Sequence, residues 1–203
     1  MKIVIVDYGM GNIHSITSAL KYIGVQEVVV SHKSEDLQSA DKLLLPGVGA
    51  FNQAMINIQK LELDTVLKNL VLIEKKPILG ICLGMQLLCE SSDEDGLHSG
   101  LGFIKGDVRK FDISPLSVPH VGFNQVKAPA NSRLYTGLEE LSDFYFTHSF
   151  RMQSGSPINA GICEYGQEFI ASFELDNIAG TQFHPELSQT NGLKVLENFV
   201  KSF

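Results

Sequence analysis

The sequence predicts an α/β fold in which a mixed, mainly parallel sheet is flanked by helices. Three observations carry this. Over the first half, short apolar runs of strand length alternate with stretches of helical period, as in a chain that crosses back and forth over a parallel sheet. Over the second half the helices drop out, and β-rich runs follow one another between Gly, Asn, Asp and Pro turns. The third is size: 203 residues, 44% of them hydrophobic, suffice for one well-cored domain and are short for two. Residues 1–203 are therefore read as a single domain, with no internal repeat or linker.

The strand-like runs of the first half are 2–6, 27–30, 42–45 and 77–81. Between and after them, helical periods cover 12–23, 51–73 (in one piece or two) and 84–89. Right-handed crossovers then place helices on both faces of the sheet. The later strand-like runs are 102–111, 121–126, 144–150, 160–165, 169–173 and 178–183, and a helix over 192–201 closes the chain.

Charge and composition remove several classes of function. The net charge of −7, with no clustered Lys or Arg, speaks against nucleic-acid binding. No apolar stretch is long enough to span a bilayer. The start, with Asp7 and Gly9 following the four-residue apolar run Ile3-Val4-Ile5-Val6, reads as a buried strand and not as a secretion signal. Three cysteines without metal-like spacing suit free thiols in a reducing compartment, so the cytoplasm is expected. No histidine–cysteine cluster has the spacing of a zinc site, and no metal or cofactor is expected.

The most informative local signal is Gly80-Ile81-Cys82-Leu83-Gly84, where an apolar strand runs directly into a helix. It is the cysteine counterpart of the Gly-x-Ser-x-Gly elbow: flanking glycines let the backbone turn sharply and lift the side chain above the sheet edge. The helix start favours a thiolate, and the Leu83 N–H points to where an oxyanion forms. Cys89 and Cys163 lack this frame and read as inert buried thiols.

A cysteine nucleophile needs a histidine to activate it. Of His14, His32, His98, His120, His148 and His184, the last is favoured. Pro185 biases His184 towards an extended conformation, and in an extended segment Glu186, two residues on, projects to the same side. A carboxylate there holds the imidazole tautomer. His14, His32 and His98 read as loop or surface residues, and the sequence does not assign His120 or His148 a role.

These motifs together resemble the class I glutamine amidotransferases, the Cys–His–Glu family, over essentially the whole chain. The resemblance rests on Asp7-Tyr8-Gly9-Met10-Gly11-Asn12, Leu45-Pro46-Gly47-Val48-Gly49-Ala50-Phe51, the Cys82 elbow, Pro119-His120-Val121-Gly122-Phe123-Asn124, Phe144-Tyr145-Phe146-Thr147-His148-Ser149-Phe150 and Gln182-Phe183-His184-Pro185-Glu186. Within the family these segments are most similar to the HisH-type glutaminase subunits of imidazole glycerol phosphate synthase, in histidine biosynthesis.

The resemblance implies a flavodoxin-like amidotransferase fold, Cys82, His184 and Glu186 as catalytic residues, and L-glutamine as substrate. It implies Leu83 with Val48 and Gly49 as oxyanion donors, the 46–49 strand reorienting before it can donate. Gly47, Gln86, Glu94, Ser149 and Phe150 then hold glutamine. The implied partner is a (β/α)8-barrel cyclase that receives the ammonia, with Asn12, Phe123 and Leu187 at the interface.

Three positions depart from the subfamily. Leu187 stands where a cation is usual, Phe123 where tryptophan is usual, and Phe150 where tyrosine is usual. Two alternatives stay open: a paralogous glutaminase that feeds ammonia to amidation of a surface-polysaccharide or flagellin sugar, and a peptidase or chaperone-like member of the same cysteine-elbow superfold.

Overall fold

The computed structural model describes residues 1–112 and 116–203. The first half builds β1 (Lys2–Val6), α1 (Ile13–Tyr22), β2 (Glu27–Ser31), α2 (Ser34–Gln38) and β3 (Lys42–Leu45). It continues through α3 (Phe51–Lys60), α4 (Leu63–Lys68), a π turn over Asn69–Ile73, β4 (Ile78–Ile81) and α5 (Leu83–Leu87). The second half adds β5 (Ser91–Ser92), β6 (His98–Ser99), β7 (Asp107–Lys110), β8 (His120–Lys127), β9 (Leu141–His148) and β10 (Phe150–Gln153). Then come β11 (Asn159–Glu164), β12 (Glu168–Leu175), β13 (Ile178–Thr181), a 3-10 turn over Pro185–Leu187, and α6 (Gln189–Ser202).

Among the described residues, the main sheet has nine strands in the order β2-β1-β3-β4-β13-β12-β11-β8-β9. Its four pairings from β2 to β13 are parallel and its four from β13 to β9 antiparallel, so the sheet is mixed as expected, with the two directions in equal number where a mainly parallel sheet was expected. The apolar runs of β1 and β3 are buried on both faces, as central parallel strands require. Val4, Val6, Leu43 and Leu45 pack with α3 and α4 on one face. Ile3, Ile5 and Leu44 pack with α1 and α6 on the other.

Several expectations shift. The helical stretch over 51–73 divides at Glu62, whose φ of 56° is left-handed, and ends in the π turn. Of the run over 102–111 only Asp107–Lys110 is strand, because the N–H groups of Phe103 and Ile104 both bond the Leu88 carbonyl beneath α5. The run over 144–150 breaks at Ser149. There the chain leaves the main sheet and joins a second, four-stranded sheet in the order β10-β7-β5-β6. The break places Thr147, His148, Ser149 and Phe150 beside the C-terminal ends of β4 and β13, the usual place for ligands in such sheets.

Candidate active site

β4 stops at Cys82, whose backbone takes φ 54° and ψ −111°. A non-glycine residue held there costs about 1–3 kcal/mol, and persists only when its surroundings over-determine it. Two contacts do so. The Cys82 N–H donates to the Thr181 carbonyl of β13 at 2.7 Å. Gly84, at the start of α5, is pressed so closely on β3 that an added Cβ would lie 1.7 Å from the Leu45 carbonyl oxygen. The elbow of the sequence is thus a strained turn locked between two strand ends, with its thiol lining a cavity of about 330 Å³.

His184 lines the same cavity. Its backbone is extended, φ −93° and ψ 99°, and its N–H donates to the Tyr145 carbonyl at 2.9 Å. The expected contact with Glu186 is present, Nδ1 to Oε1 at 2.9 Å, but the extended backbone ends at His184. Pro185–Leu187 forms a 3-10 turn, and it is this turn that swings the carboxylate back to the ring. A carboxylate only accepts, so Nδ1 carries a hydrogen, and Nε2 is the nitrogen left to exchange a proton with Cys82. Nε2 is buried and has no hydrogen-bond partner among the described residues. Burial pulls the imidazolium down, but the Cys82 thiol and the Glu186 carboxylate beside it outweigh burial and push His184 up to about 10. The Glu186 side chain is fully buried, and Asn12 Nδ2 also donates to Oε1, at 3.3 Å.

The 46–49 segment crosses in front of Cys82. The Tyr8 hydroxyl donates to the Pro46 carbonyl at 2.6 Å, and burial, with the Cys82 sulfur nearby, pushes that phenol well above its ordinary range. Gly47 is wedged: a Cβ there would meet the Tyr8 hydroxyl at 2.6 Å and the Gly84 nitrogen at 2.8 Å. Beyond it the packing loosens. Val48 is 43% exposed, and Gly49 has a φ of +99°. The segment is therefore anchored at 46–47 and freer at 48–49. Leu83 is the first residue of α5, and at that position an N–H has no intrahelical acceptor.

The residues expected around a substrate line the same cavity, Gly47 excepted. Both hydrogens of Gln86 Nε2 are committed, to the Phe150 carbonyl and to Gln182 Oε1, each at 2.9 Å, which leaves Gln86 Oε1 as its remaining polar atom. Glu94, in an acidic turn, accepts the Phe51 N–H on Oε2 at 2.8 Å and so caps α3; burial raises its carboxyl. Phe123 (51%) and Leu187 (41%) are exposed, whereas Asn12, expected with them at an interface, reaches the catalytic-type carboxylate.

Two neighbours of the thiol went unread in the sequence. Gln182 Nε2 lies 3.7 Å from Cys82 Sγ, and the Thr147 carbonyl lies 4.0 Å from it. Gln182 was accessible to the reasoning applied to Glu186, since it is two residues before His184 in an extended segment. Cys89 and Cys163 are buried, and burial pushes both thiols up to about 12, which leaves them protonated. His14 and His32 are exposed and His98 half-buried, all away from this cavity.

A thiol, an imidazole with a free nitrogen, and a buried carboxylate behind that imidazole are the parts needed to attack a carboxamide carbon and protonate the departing amine. Residues 4–203 match the family described as Glutamine amidotransferase class-I. A relative named imidazole glycerol phosphate synthase subunit HisH 1, from Campylobacter jejuni, is 47% identical over 98% of this chain and 99% of its own. The HisH subunit of Aquifex aeolicus is also 47% identical, over 99% of this chain and 97% of its own. The structure of PurLQS from Thermotoga maritima superposes with a TM-score of 0.74 at 19% identity, covering 98% of this chain and 97% of that one, a likeness of fold.

Proposed function

The chain belongs to the class-I glutamine amidotransferase family, and from that premise we propose that it is the glutaminase subunit of an imidazole glycerol phosphate synthase. It acts as a single domain over residues 1–203, hydrolyses L-glutamine to glutamate and ammonia, and passes the ammonia to a (β/α)8-barrel cyclase in the cytoplasm. The observation that carries the glutaminase reading is the strained Cys82 elbow facing one cavity with His184, whose free Nε2 is backed by buried Glu186.

Cys82 attacks the side-chain amide, and the Leu83 N–H and a reoriented peptide at Val48–Gly49 take the oxyanion. His184 protonates the leaving ammonia, then acts as base for the water that hydrolyses the γ-glutamyl thioester. Glutamine sits between Gln86 and Glu94 on one side and the Ser149–Phe150 backbone on the other, with the carboxylate of Glu94 and the carbonyl of Gln86 suited to its α-ammonium, whereas Gly47, expected with them, is wedged beneath the cavity and does not reach it. None of these steps calls for a cofactor. Among the described residues, no helix is long and apolar enough to cross a membrane, and no group of His, Cys, Asp and Glu could hold a metal.

Ammonia released into water is protonated and lost as a nucleophile, so the product needs an enclosed route to its acceptor. Exposed Phe123 packs edge-on against Tyr145, whose N–H donates to Ser188 Oγ next to exposed Leu187, so the two offer an apolar docking face near Glu186 and Asn12. The same face supports a second reading, a paralogous subunit whose barrel partner amidates a sugar. Leu187 and Phe123 replace the usual cation and tryptophan, and the Campylobacter relative carries a copy number in its name.

Reconstitution tests the proposal. Glutamate release is measured for the chain alone and with its barrel partner, with and without acceptor ligand. The partner is expected to raise kcat by about 100-fold, since an unaligned oxyanion donor withholds about 3 kcal/mol. Equal kcat in all arms contradicts the gating at Val48–Gly49, and no glutamate in any arm contradicts the glutaminase reading itself.

A further inference from the structure

Beside His184 lies a pair of further buried imidazoles, of which His148 reaches the cavity wall and His120 lies behind it. His120 and His148 are 3% and 6% exposed and face each other across the β8–β9 register, Nδ1 of His120 lying 3.2 Å from Nε2 of His148. His148 Nδ1 lies 2.8 Å from the Phe150 carbonyl, and His120 Nε2 lies 3.4 Å from Asn124 Nδ2. The His120 ring is stacked between Phe146, with centroids 4.8 Å apart, and Tyr165, at 4.0 Å.

Both ends of this chain dictate the same polarity. Asn124 Oδ1 accepts the Gln125 N–H at 2.8 Å and its Nδ2 donates to the Glu164 carbonyl at 2.9 Å, which sets the amide's orientation. Asn124 therefore offers His120 a donor, so Nε2 of His120 accepts and its Nδ1 carries the hydrogen. That hydrogen goes to His148 Nε2, so His148 also carries its hydrogen on Nδ1. At the far end the Phe150 carbonyl can only accept, which demands the same tautomer. Burial pushes His148 down to about 3 and His120 to about 4, so both stay neutral at any ordinary pH and put no charge beside His184.

The carbonyl at the end of the relay belongs to a residue on the cavity wall. Phe150 pairs with Lys110, and the Phe111 N–H donates to the Ser149 carbonyl at 3.1 Å, so the Phe150–Lys110 pair is the non-hydrogen-bonded type. The N–H and C=O of Phe150 both point away from β7, towards Gln86 and His148. The carbonyl's two lone pairs are taken by those two donors, which leaves the N–H as the free group on that side.

We propose that Asn124, His120 and His148 are positioning residues for glutamine: a one-directional hydrogen-bond relay that locks the Phe150 carbonyl and so aims the Phe150 N–H at the substrate's α-carboxylate. The inference rests on the glutaminase reading given above. A flexible donor would satisfy the same carbonyl, but two neutral rings clamped by aromatic faces fix its direction without adding charge.

The test is steady-state glutaminase kinetics of the chain in complex with its barrel partner. His148→Phe is expected to raise KM for glutamine by about 10- to 100-fold while kcat falls less than about threefold, since only ground-state positioning is lost. His148→Asn, which returns an amide N–H near the place of Nδ1, is expected to recover most of the KM. His120→Phe, one link further away, shows the same split at about threefold to tenfold in KM. Independently of any variant, nitrogen NMR of the wild-type complex is expected to show both rings neutral and in the Nδ1–H form from about pH 5 to 8. An unchanged KM in the histidine variants, equal loss of kcat and KM specificity without rescue by Asn, or an Nε2–H tautomer at either ring overturns the inference. A wild-type complex that releases no glutamate overturns the functional reading instead, and the inference with it.

Discussion

Glu186→Ala removes the carboxylate behind His184 and little else, because the Glu186 side chain is fully buried and among the described residues its only hydrogen-bond partners are His184 Nδ1 at 2.9 Å and Asn12 Nδ2 at 3.3 Å. Three losses follow. The charge-assisted hydrogen bond to the ring goes, worth about 1.5–3 kcal/mol, or about 10- to 150-fold in rate. The ring loses the acceptor that holds the hydrogen on Nδ1, so the other tautomer, with Nε2 protonated and unable to take the thiol proton, becomes populated. The imidazolium that forms during attack loses its counter-charge inside a dry site, where solvent does not replace it. Together these put the expected fall in kcat/KM at about 100- to 10,000-fold. Glu186→Gln, which keeps an acceptor oxygen but no charge, falls between wild type and Glu186→Ala. The assay is glutamate release by each variant in complex with the barrel partner, with circular dichroism to show an unchanged fold. Turnover of Glu186→Ala within tenfold of wild type refutes the assignment of Glu186 as the orienter, and Asn12 or solvent would then have to fix the tautomer.

Three further outcomes follow from the same structure. Gly84→Ala drives a methyl group to 1.7 Å from the Leu45 carbonyl, so β3 and α5 must part; a loss of about 3 kcal/mol, or roughly 6–12 °C in Tm, is expected in a thermal melt, and an unchanged Tm contradicts the close packing of the elbow. Stability should peak near pH 6.5. Below it, His120 and His148 stay neutral in the fold while the unfolded chain takes up protons, so stability falls as pH drops from 6.5 towards 4 and 3. Above it, His184 remains charged in the fold up to about 10 while the unfolded chain has lost its proton, so stability falls as pH rises. Denaturant titrations at acid, neutral and alkaline pH check both limbs, and a flat acid limb contradicts the neutral pair. Leu187→Lys, on a residue 41% exposed beside the docking face, should weaken binding to the chain's own barrel partner by about 1–3 kcal/mol in calorimetry; equal or tighter binding shows Leu187 to be neutral there.

Local pattern carried the parallel half of the fold because its strands are short, continuous apolar runs. Residues 2–6 and 42–45 are strands with the expected bounds, and the strand over 27–30 extends by one residue. What stayed hidden was decided by distant partners or by segments too short for a period. α2, Ser34–Gln38, buries only Leu37 and has no amphipathic repeat to read. β5 and β6 are two residues each and exist only because β7 lies alongside β5 and β5 in turn alongside β6. Phe103 and Ile104 look like strand residues yet bury themselves under α5.

At the site, Cys82, His184 and Glu186 were legible because their motifs encode backbone geometry in glycine and proline. Even there, the route from His184 to Glu186 is a 3-10 turn where an extended backbone was expected. Tyr8 and the His120–His148 pair were not legible as neighbours, whereas Gln182 was readable from its place two residues before His184. The unread contacts span 38 and 28 residues of sequence, and the histidine pair joins the site through a backbone carbonyl that no motif marks.

The most direct test of the account is the fate of Cys82 itself during glutamine turnover. A glutamine-like electrophile is added to the chain in complex with its barrel partner, and mass spectrometry of peptides is read against loss of glutamate release. The account predicts one adduct per chain, on Cys82 alone, with activity lost in step with labelling, and a Cys82→Ser protein that neither labels nor hydrolyses, several orders of magnitude below wild type. Cys89 and Cys163, buried and protonated, stay unmodified. Glutamine turnover by Cys82→Ser near the wild-type rate, or inactivation that tracks an adduct on another residue, would contradict it.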